Sequence, residues 1–380
     1  MVSRLGRLFP GLLKEGSPAA SNGLTLDLHI GMPKTGTTAI QSFLYHNRET
    51  LMREQGINYP ISARHWFQQV PLVKAIAEPR FEFARFNPAI ASVDLDQWQE
   101  GLERSCHENN CNRVILSSEF FWAAPAMQAP LRFHKDTESN LALLEEFVAG
   151  CKNTFYRFDR VRIIVYLRRQ DRWLESFFNQ QIKNGFGIPQ EDELLSTRIY
   201  LLYYKNIQLW CDCFGRKNVI VRPYEAALPD VIGDFCALTG ISLDDSLVRS
   251  QDRVSSTNPR LSPRAIGIMR KAIGENMDKD FRELLRVVLT NTSAAIPKER
   301  WNRKYGVFSE QFHKSTLENY RQDTGQLVEL YPDFSDYLTE KQPAQATVES
   351  QPGDASRGWE EKAELLLEQL MSRQPKTDRE

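Results

Sequence analysis

The stretch that most constrains this chain is Leu26–Leu44, LDLHIGMPKTGTTAIQSFL. It begins with an apolar run from Leu26 to Ile30 and passes through a turn rich in Gly and Thr. It continues into a segment whose apolar residues Ile40, Phe43 and Leu44 recur at helical spacing. A strand feeding a helix through a tight turn is the opening of an α/β unit. The rest of the chain repeats the alternation: Gly56 to Tyr59, Val114 to Ser117, Val161 to Leu167 and Val219 to Arg222 read as strands, with helical patterns between them. Parallel neighbours need connections long enough to hold a helix, so the expected fold class is α/β, a central parallel sheet flanked by helices.

From Leu261 to about Leu330 the pattern is helical, with Ile266, Met269 and Arg270 and then Phe281, Leu284, Leu285 and Val288 at spacings of three and four. This gives a helical C-terminal part, residues 261–338, read as a cap on one folded domain spanning residues 24–338. Residues 1–23 carry a short apolar stretch broken by Gly6, Pro10, Gly11 and Lys14, a poor signal peptide that reads as a disordered leader. Residues 339–380 read as a linker rich in Gln, Pro, Ala, Ser and Glu. A tail helix follows whose face of Trp359, Ala363, Leu366 and Leu370 suits docking on the body or on a second copy in a homodimer.

With a formal net charge of −1, nothing global draws the chain to nucleic acid or an anionic membrane. Apolar runs such as Ile163 to Leu167 fall well short of the roughly 20 residues needed to span a bilayer. The six cysteines lack metal-ligand spacing, since Cys211-x-Cys213 has no partner pair; no metal is expected, and reduced thiols fit a cytoplasmic protein.

The turn itself is suited to phosphate. It aims backbone N–H groups and the positive end of a helix at one point; Gly31 and Gly36 allow close backbone approach, Lys34 adds a charge, and Thr35, Thr37 and Thr38 add hydroxyl donors. Against the nucleotide-binding pattern GxxxxGK followed by Ser or Thr, Gly31, Gly36 and Thr38 keep the spacing, but position 37 is Thr and the lysine sits inside the loop. The turn is therefore P-loop-like, with altered geometry for a γ-phosphate and Mg²⁺.

Pro33-Lys34-Thr35-Gly36-Thr37-Thr38 matches the 5'-phosphosulfate loop of the sulfotransferases that use PAPS, 3'-phosphoadenosine 5'-phosphosulfate. The chain resembles that family over roughly Leu26 to Ile241. The resemblance implies PAPS as cosubstrate, with Lys34 at the 5'-phosphate and bridging oxygen and Thr35 to Thr38 around the 5'-phosphate. The family's 3'-phosphate signature, an arginine closing a strand and a serine eight residues later, is met by Arg168 and Ser176 in VRIIVYLRRQDRWLESFF. A guanidinium offers phosphate two parallel donors and keeps its charge. NVIVRPYEAALPDVIGDFCALTGI, from Asn218 to Ile241, is similar to the strand, acidic turn and helix of bacterial members; the RKGxxGxW signature of the cytosolic animal enzymes is absent.

Transfer of a sulfuryl group to a hydroxyl, or to an amine, also needs a base. Two candidates stand out: His65, in a loop after the short strand and expected to turn back toward the phosphate site, and Glu119, at the end of a strand. Glu119 also keeps open a Mg-ATP-dependent kinase or NTPase reading, and a non-catalytic nucleotide-binding scaffold is a third. Trp66, Phe67, Arg80, Phe81, Arg85, Phe86 and Trp122 suit a carbohydrate or related small-molecule acceptor by stacking and charge.

Overall fold

The computed structural model describes residues 23–65, 67–78, 93–123, 137–185, 198–243, 247, 260–275, 277–295 and 308–338. Trp66, Arg80, Phe81, Arg85 and Phe86, the leader up to residue 22 and the linker and tail from residue 339 lie outside the described residues. In chain order the main elements are strand β1 (Thr25–His29), helix α1 (Thr37–Gln55), β2 (Ile57–Asn58), α2 (Val70–Ala77), α3 (Leu95–Glu108), β3 (Arg113–Ser117), α4 (Thr137–Thr154), β4 (Arg160–Leu167), α5 (Gln170–Lys183), α6 (Tyr203–Phe214), β5 (Val219–Pro223) and α7 (Val231–Thr239). Helices α8 (Pro263–Gly274), α9 (Lys279–Ala295), α10 (Glu310–Asn319) and α11 (Arg321–Leu330) follow. The chain divides into two compact units, one of Met1–Arg168, Ser196–Ser255 and Gln322–Phe334, the other of Arg169–Leu195, Ser256–Arg321 and Ser335–Glu380.

The first unit holds the sheet. Its order is β2-β3-β1-β4-β5 and every pairing is parallel. All five apolar runs read from the sequence are strands, because a parallel sheet covered on both faces selects continuous apolar sequence. Leu26, Leu28, Val114, Leu116, Ile163 and Val165 are all fully buried. β1 also buries two polar residues, Asp27 and His29; Asp27, 1% exposed, lies beside Arg162 of β4 in register and accepts from its Nε at 2.5 Å and Nη2 at 2.6 Å. On one face Ile40, Phe43 and Leu44 of α1 join Ile232, Phe235 and Cys236 of α7 in a common core. After β3 the chain crosses from one side of β1 to the other, so the sheet has a switch point between β1 and β4, the place where open parallel sheets form a ligand crevice at their carboxyl ends.

The second unit is helical. Asn179 of α5 exchanges two hydrogen bonds with the backbone of Leu261, at 3.0 and 3.3 Å, and Ser262 caps α8 by accepting from Ala265 N. The periodicity of α9 identifies a helix but misplaces part of its apolar face: Leu285 and Leu289 are buried, whereas Leu284 is 62% exposed and Val288 49%. No helix among the described residues is long and apolar enough to cross a membrane. All six cysteines are free thiols, five of them buried.

Candidate functional site

At the carboxyl end of β1 the loop takes a course that only glycine permits at two points. Gly31 has φ +91°, and a Cβ there would lie 2.6 Å from the Cα of Glu119. Gly36 has φ +80°, and its Cβ would meet Val231 Cγ1 at 3.0 Å and Tyr224 Cε2 at 3.4 Å. Lys34 between them also has positive φ, 69°. Gly36 is the N-cap of α1 and no side chain caps the helix, so the first-turn amides of α1 keep their anion-binding character.

The motif's hydroxyls divide by burial. Thr35, fully buried, donates to Met32 O at 2.6 Å and closes the loop on itself. Thr37, 3% exposed, donates to Glu119 Oε2 at 2.8 Å, whereas Thr38 is exposed. Two of the three hydroxyl protons are therefore engaged inside the protein, and what the loop presents outward is backbone amide, Lys34 and Thr38.

Arg168 stands directly across the switch point, one residue past the end of β4. Its Nη1 donates to Lys34 O at 3.4 Å, its Nε lies 3.8 Å from Glu225 Oε1, and its guanidinium sits 5.5 Å from the centre of the Tyr224 ring. Tyr203 at the start of α6 fixes the backbone beneath it, donating to Arg168 O at 2.6 Å. The Arg168 Nε is buried and makes no hydrogen bond, its counter-charge being Glu225 Oε1 at 3.8 Å. A positive-φ loop that leads into the uncapped N-terminus of α1, a lysine within it and the neighbouring Arg168 form a donor set that fits a phosphorylated ligand. Tyr224 and Glu225 were not singled out from the sequence; their signal was the acidic turn after β5, which is uninformative until the fold brings it to Arg168.

Glu119 follows β3 and is held against the loop. Burial pushes its carboxyl pKa up, while the Thr37 hydrogen bond and the Lys34 charge pull the other way. Burial, and then the charge of Glu119, raise the phenol of Tyr200. His65 is exposed, and the segment carrying it is tied to the end of β3. His65 and Gln68 exchange backbone hydrogen bonds at 2.8 and 3.3 Å, Gln68 Oε1 accepts from Ser118 Oγ at 3.2 Å, and Gln69 Oε1 accepts from Ser117 N at 2.8 Å. The loop thus reaches the residue preceding Glu119. His29, in β1, is a core residue: burial lowers its pKa to about 3, and its Nδ1 lies 2.7 Å from Ser117 Oγ.

Ser176 belongs to the second unit, on α5, and is 5% exposed. In the same helix Asp171, 1% exposed, accepts from Arg169 Nε and Nη2, both at 2.7 Å, and faces His313 Nδ1 of α10 at 3.0 Å. Burial favours the neutral acid, but hydrogen bonds from His313 and Arg169 outweigh it and hold Asp171 well below the usual carboxylate range; the Asp171 hydrogen bond in turn raises His313. Arg169 thus serves the fold of α5, which leaves Arg168 as the arginine at the crevice. No sequence motif marks His313.

Fold and site together define a parallel α/β protein with a P-loop-like strand–loop–helix turn at its switch point. No protein-family profile matches the chain. An uncharacterized protein of Archaeoglobus fulgidus is 30% identical over 173 residues, which are 43% of this chain and 46% of that protein, so the chain spans less than half the length of that relative. The crystal structure of a sulfotransferase from Alicyclobacillus acidocaldarius aligns with a TM-score of 0.37 and 16% identity, over 70% of this chain and 99% of that one, a likeness too low to bear on function.

Proposed function

We propose that the protein is a PAPS-dependent sulfotransferase acting on an acceptor hydroxyl. The observation that supports the reading is the pairing at the switch point: a PKTGTT loop whose Lys34 carbonyl accepts from Arg168, the arginine of the second signature. In the reaction a bond forms from the acceptor oxygen to sulfur as the bond from sulfur to the bridging phosphate oxygen breaks; that oxygen keeps the electron pair, and adenosine 3',5'-bisphosphate leaves. Lys34 offsets the charge growing on the leaving oxygen, and the loop amides hold the 5'-phosphate. Arg168 takes the 3'-phosphate; Ser176 is assigned to the same group by its sequence spacing alone.

His65 takes the acceptor proton, carried on a segment that is tied through Gln68 to Ser118 beside Glu119. Glu119, engaged by Thr37 and close to the charge of Lys34, is the positioning residue that keeps the loop in register. No step calls for a metal.

The test is calorimetric titration of adenosine 3',5'-bisphosphate in the presence of a chelator. Binding to the wild type that weakens at least tenfold in both Lys34→Ala and Arg168→Ala, with none for ATP, supports the reading. A second reading, a Mg-ATP-dependent kinase or NTPase, draws on the Glu119 carboxylate at the end of β3. Mg-ATP bound in preference to the bisphosphate would move it to the front.

A further inference from the structure

Thr38 and Tyr45, seven residues apart, lie on one face of α1 with about 10 Å between them by the rise of the helix. Over that face lies the segment that carries His65. The Arg64 guanidinium sits 4.2 Å from the centre of the Tyr45 ring, and the Phe67 ring packs 5.2 Å from Tyr45 and 5.6 Å from His46. Arg48 approaches the same Tyr45 ring at 4.7 Å.

The two arginines differ in what their N–H groups do. Arg48 is engaged, donating to Glu49 Oε1 at 2.7 Å and to Tyr45 O at 2.8 Å. Arg64 makes no hydrogen bond or ion pair with any described residue, and its Nε is buried without an acceptor. A guanidinium held over an aromatic ring, and hydrogen-bonded to no described residue, is arranged to receive a planar or tetrahedral oxyanion. Its segment is anchored through Gln68 to Ser118, next to Glu119, which in turn holds Thr37 of the loop.

We infer that Arg64 is a specificity residue that receives a carboxylate or sulfate ester carried by the acceptor, so that the site selects acidic acceptors over neutral ones of the same shape. This rests on the sulfuryl-transfer reading for the word acceptor; the anion site itself does not. The competing structural role, a staple that fastens the Arg64 segment to α1 through Tyr45, predicts a loss of stability in Arg64→Ala and no change in ligand discrimination.

The probes are methyl β-D-glucuronoside, methyl β-D-glucoside 6-sulfate and the neutral methyl β-D-glucoside. Each is titrated by NMR into the full chain with and without adenosine 3',5'-bisphosphate. In the wild type at least one charged probe binds tenfold or more tighter than the glucoside, and which one identifies the oxyanion. Arg64→Ala erases the difference and Arg64→Lys restores part of it, while bisphosphate affinity stays unchanged in both. Equal binding of charged and neutral probes by the wild type, absence of binding included, overturns the inference, and so does undiminished discrimination in Arg64→Ala. Arg64-dependent discrimination in a protein that fails to bind the bisphosphate overturns the sulfuryl-transfer reading instead and leaves the anion site standing.

Discussion

Gly31 shows how much of this site is decided by single atoms. Its φ of +91° and the 2.6 Å that would separate a Cβ from the Glu119 backbone mean that alanine must move either the loop or the end of β3. Left-handed strain costs about 1–2 kcal/mol and overpacking about 1–3 kcal/mol, so Gly31→Ala is expected to lower stability by about 2–5 kcal/mol in denaturant titration and to abolish bisphosphate binding. Stability and binding both left intact would mean the loop is not the rigid cradle described here. Glu119 gives a second residue-level expectation. Its folded pKa is raised mainly by burial, so the stability it contributes is fully present below its unfolded value of about 4.3 and is lost as pH rises through the folded one. Thermal melts at pH 4 to 7 should show wild-type stability relative to Glu119→Gln falling across that window; a flat difference would contradict the assigned environment. The sequence named Gly31, Lys34, Gly36, Arg168 and Glu119 because each belongs to a local pattern. It is silent on Tyr224, Glu225 and Arg64, whose roles arise from contacts with Arg168 and Tyr45 in other elements of the fold, which no local spacing encodes.

Among elements, the strands were the easiest to read and the helix faces the hardest. β1, β3 and the second half of β4 are buried on both faces, so continuous apolar sequence is an unambiguous signal there, whereas a helix on the surface needs only part of its apolar stripe buried. That is why α9 was found while Leu284 and Val288, expected on its packed face, turned out exposed. Docking of α10 on α5 depends less on apolar periodicity than on the Asp171–His313 contact, and this makes it sensitive to pH. The depressed Asp171 contributes stability above its unfolded value near 4 and loses it as pH falls. The raised His313 contributes below its unfolded value near 6.5 and loses it as pH rises through the folded one. Both groups are charged between those limits, so the stability difference between wild type and His313→Ala should peak at about pH 4 to 6.5. Asp171→Asn, which leaves Arg169 and His313 without their carboxylate, should cost about 3–5 kcal/mol at neutral pH. A difference that grows steadily toward pH 9 would contradict the pairing.

At the level of the whole molecule the sequence suggests one domain with a helical cap; contacts group α5 with α8, α9 and α10, and nearly all of α11 with the sheet. Grouping of this kind depends on long-range packing, which a residue pattern does not report. It does not alter where the donor loop lies: Lys34, Glu119, Arg168 and Glu225 all belong to the sheet-bearing unit. A ligand that binds these folded residues and not the unfolded chain must stabilise the fold by mass action. At a free concentration one hundred times its Kd the gain is about 2.7 kcal/mol, whatever the ligand. Adenosine 3',5'-bisphosphate should therefore raise the Tm of the wild type by a few degrees in EDTA, with a concentration dependence that returns the calorimetric Kd. Lys34→Ala and Arg168→Ala should show little or no shift at the same concentration, each measured against its own ligand-free Tm, and Arg168→Ala should start from a lower Tm because it leaves the buried Glu225 carboxylate without its cation. A shift that appears only with Mg²⁺ and ATP, or that survives in both variants, would place the anion elsewhere and remove the basis for sulfuryl transfer.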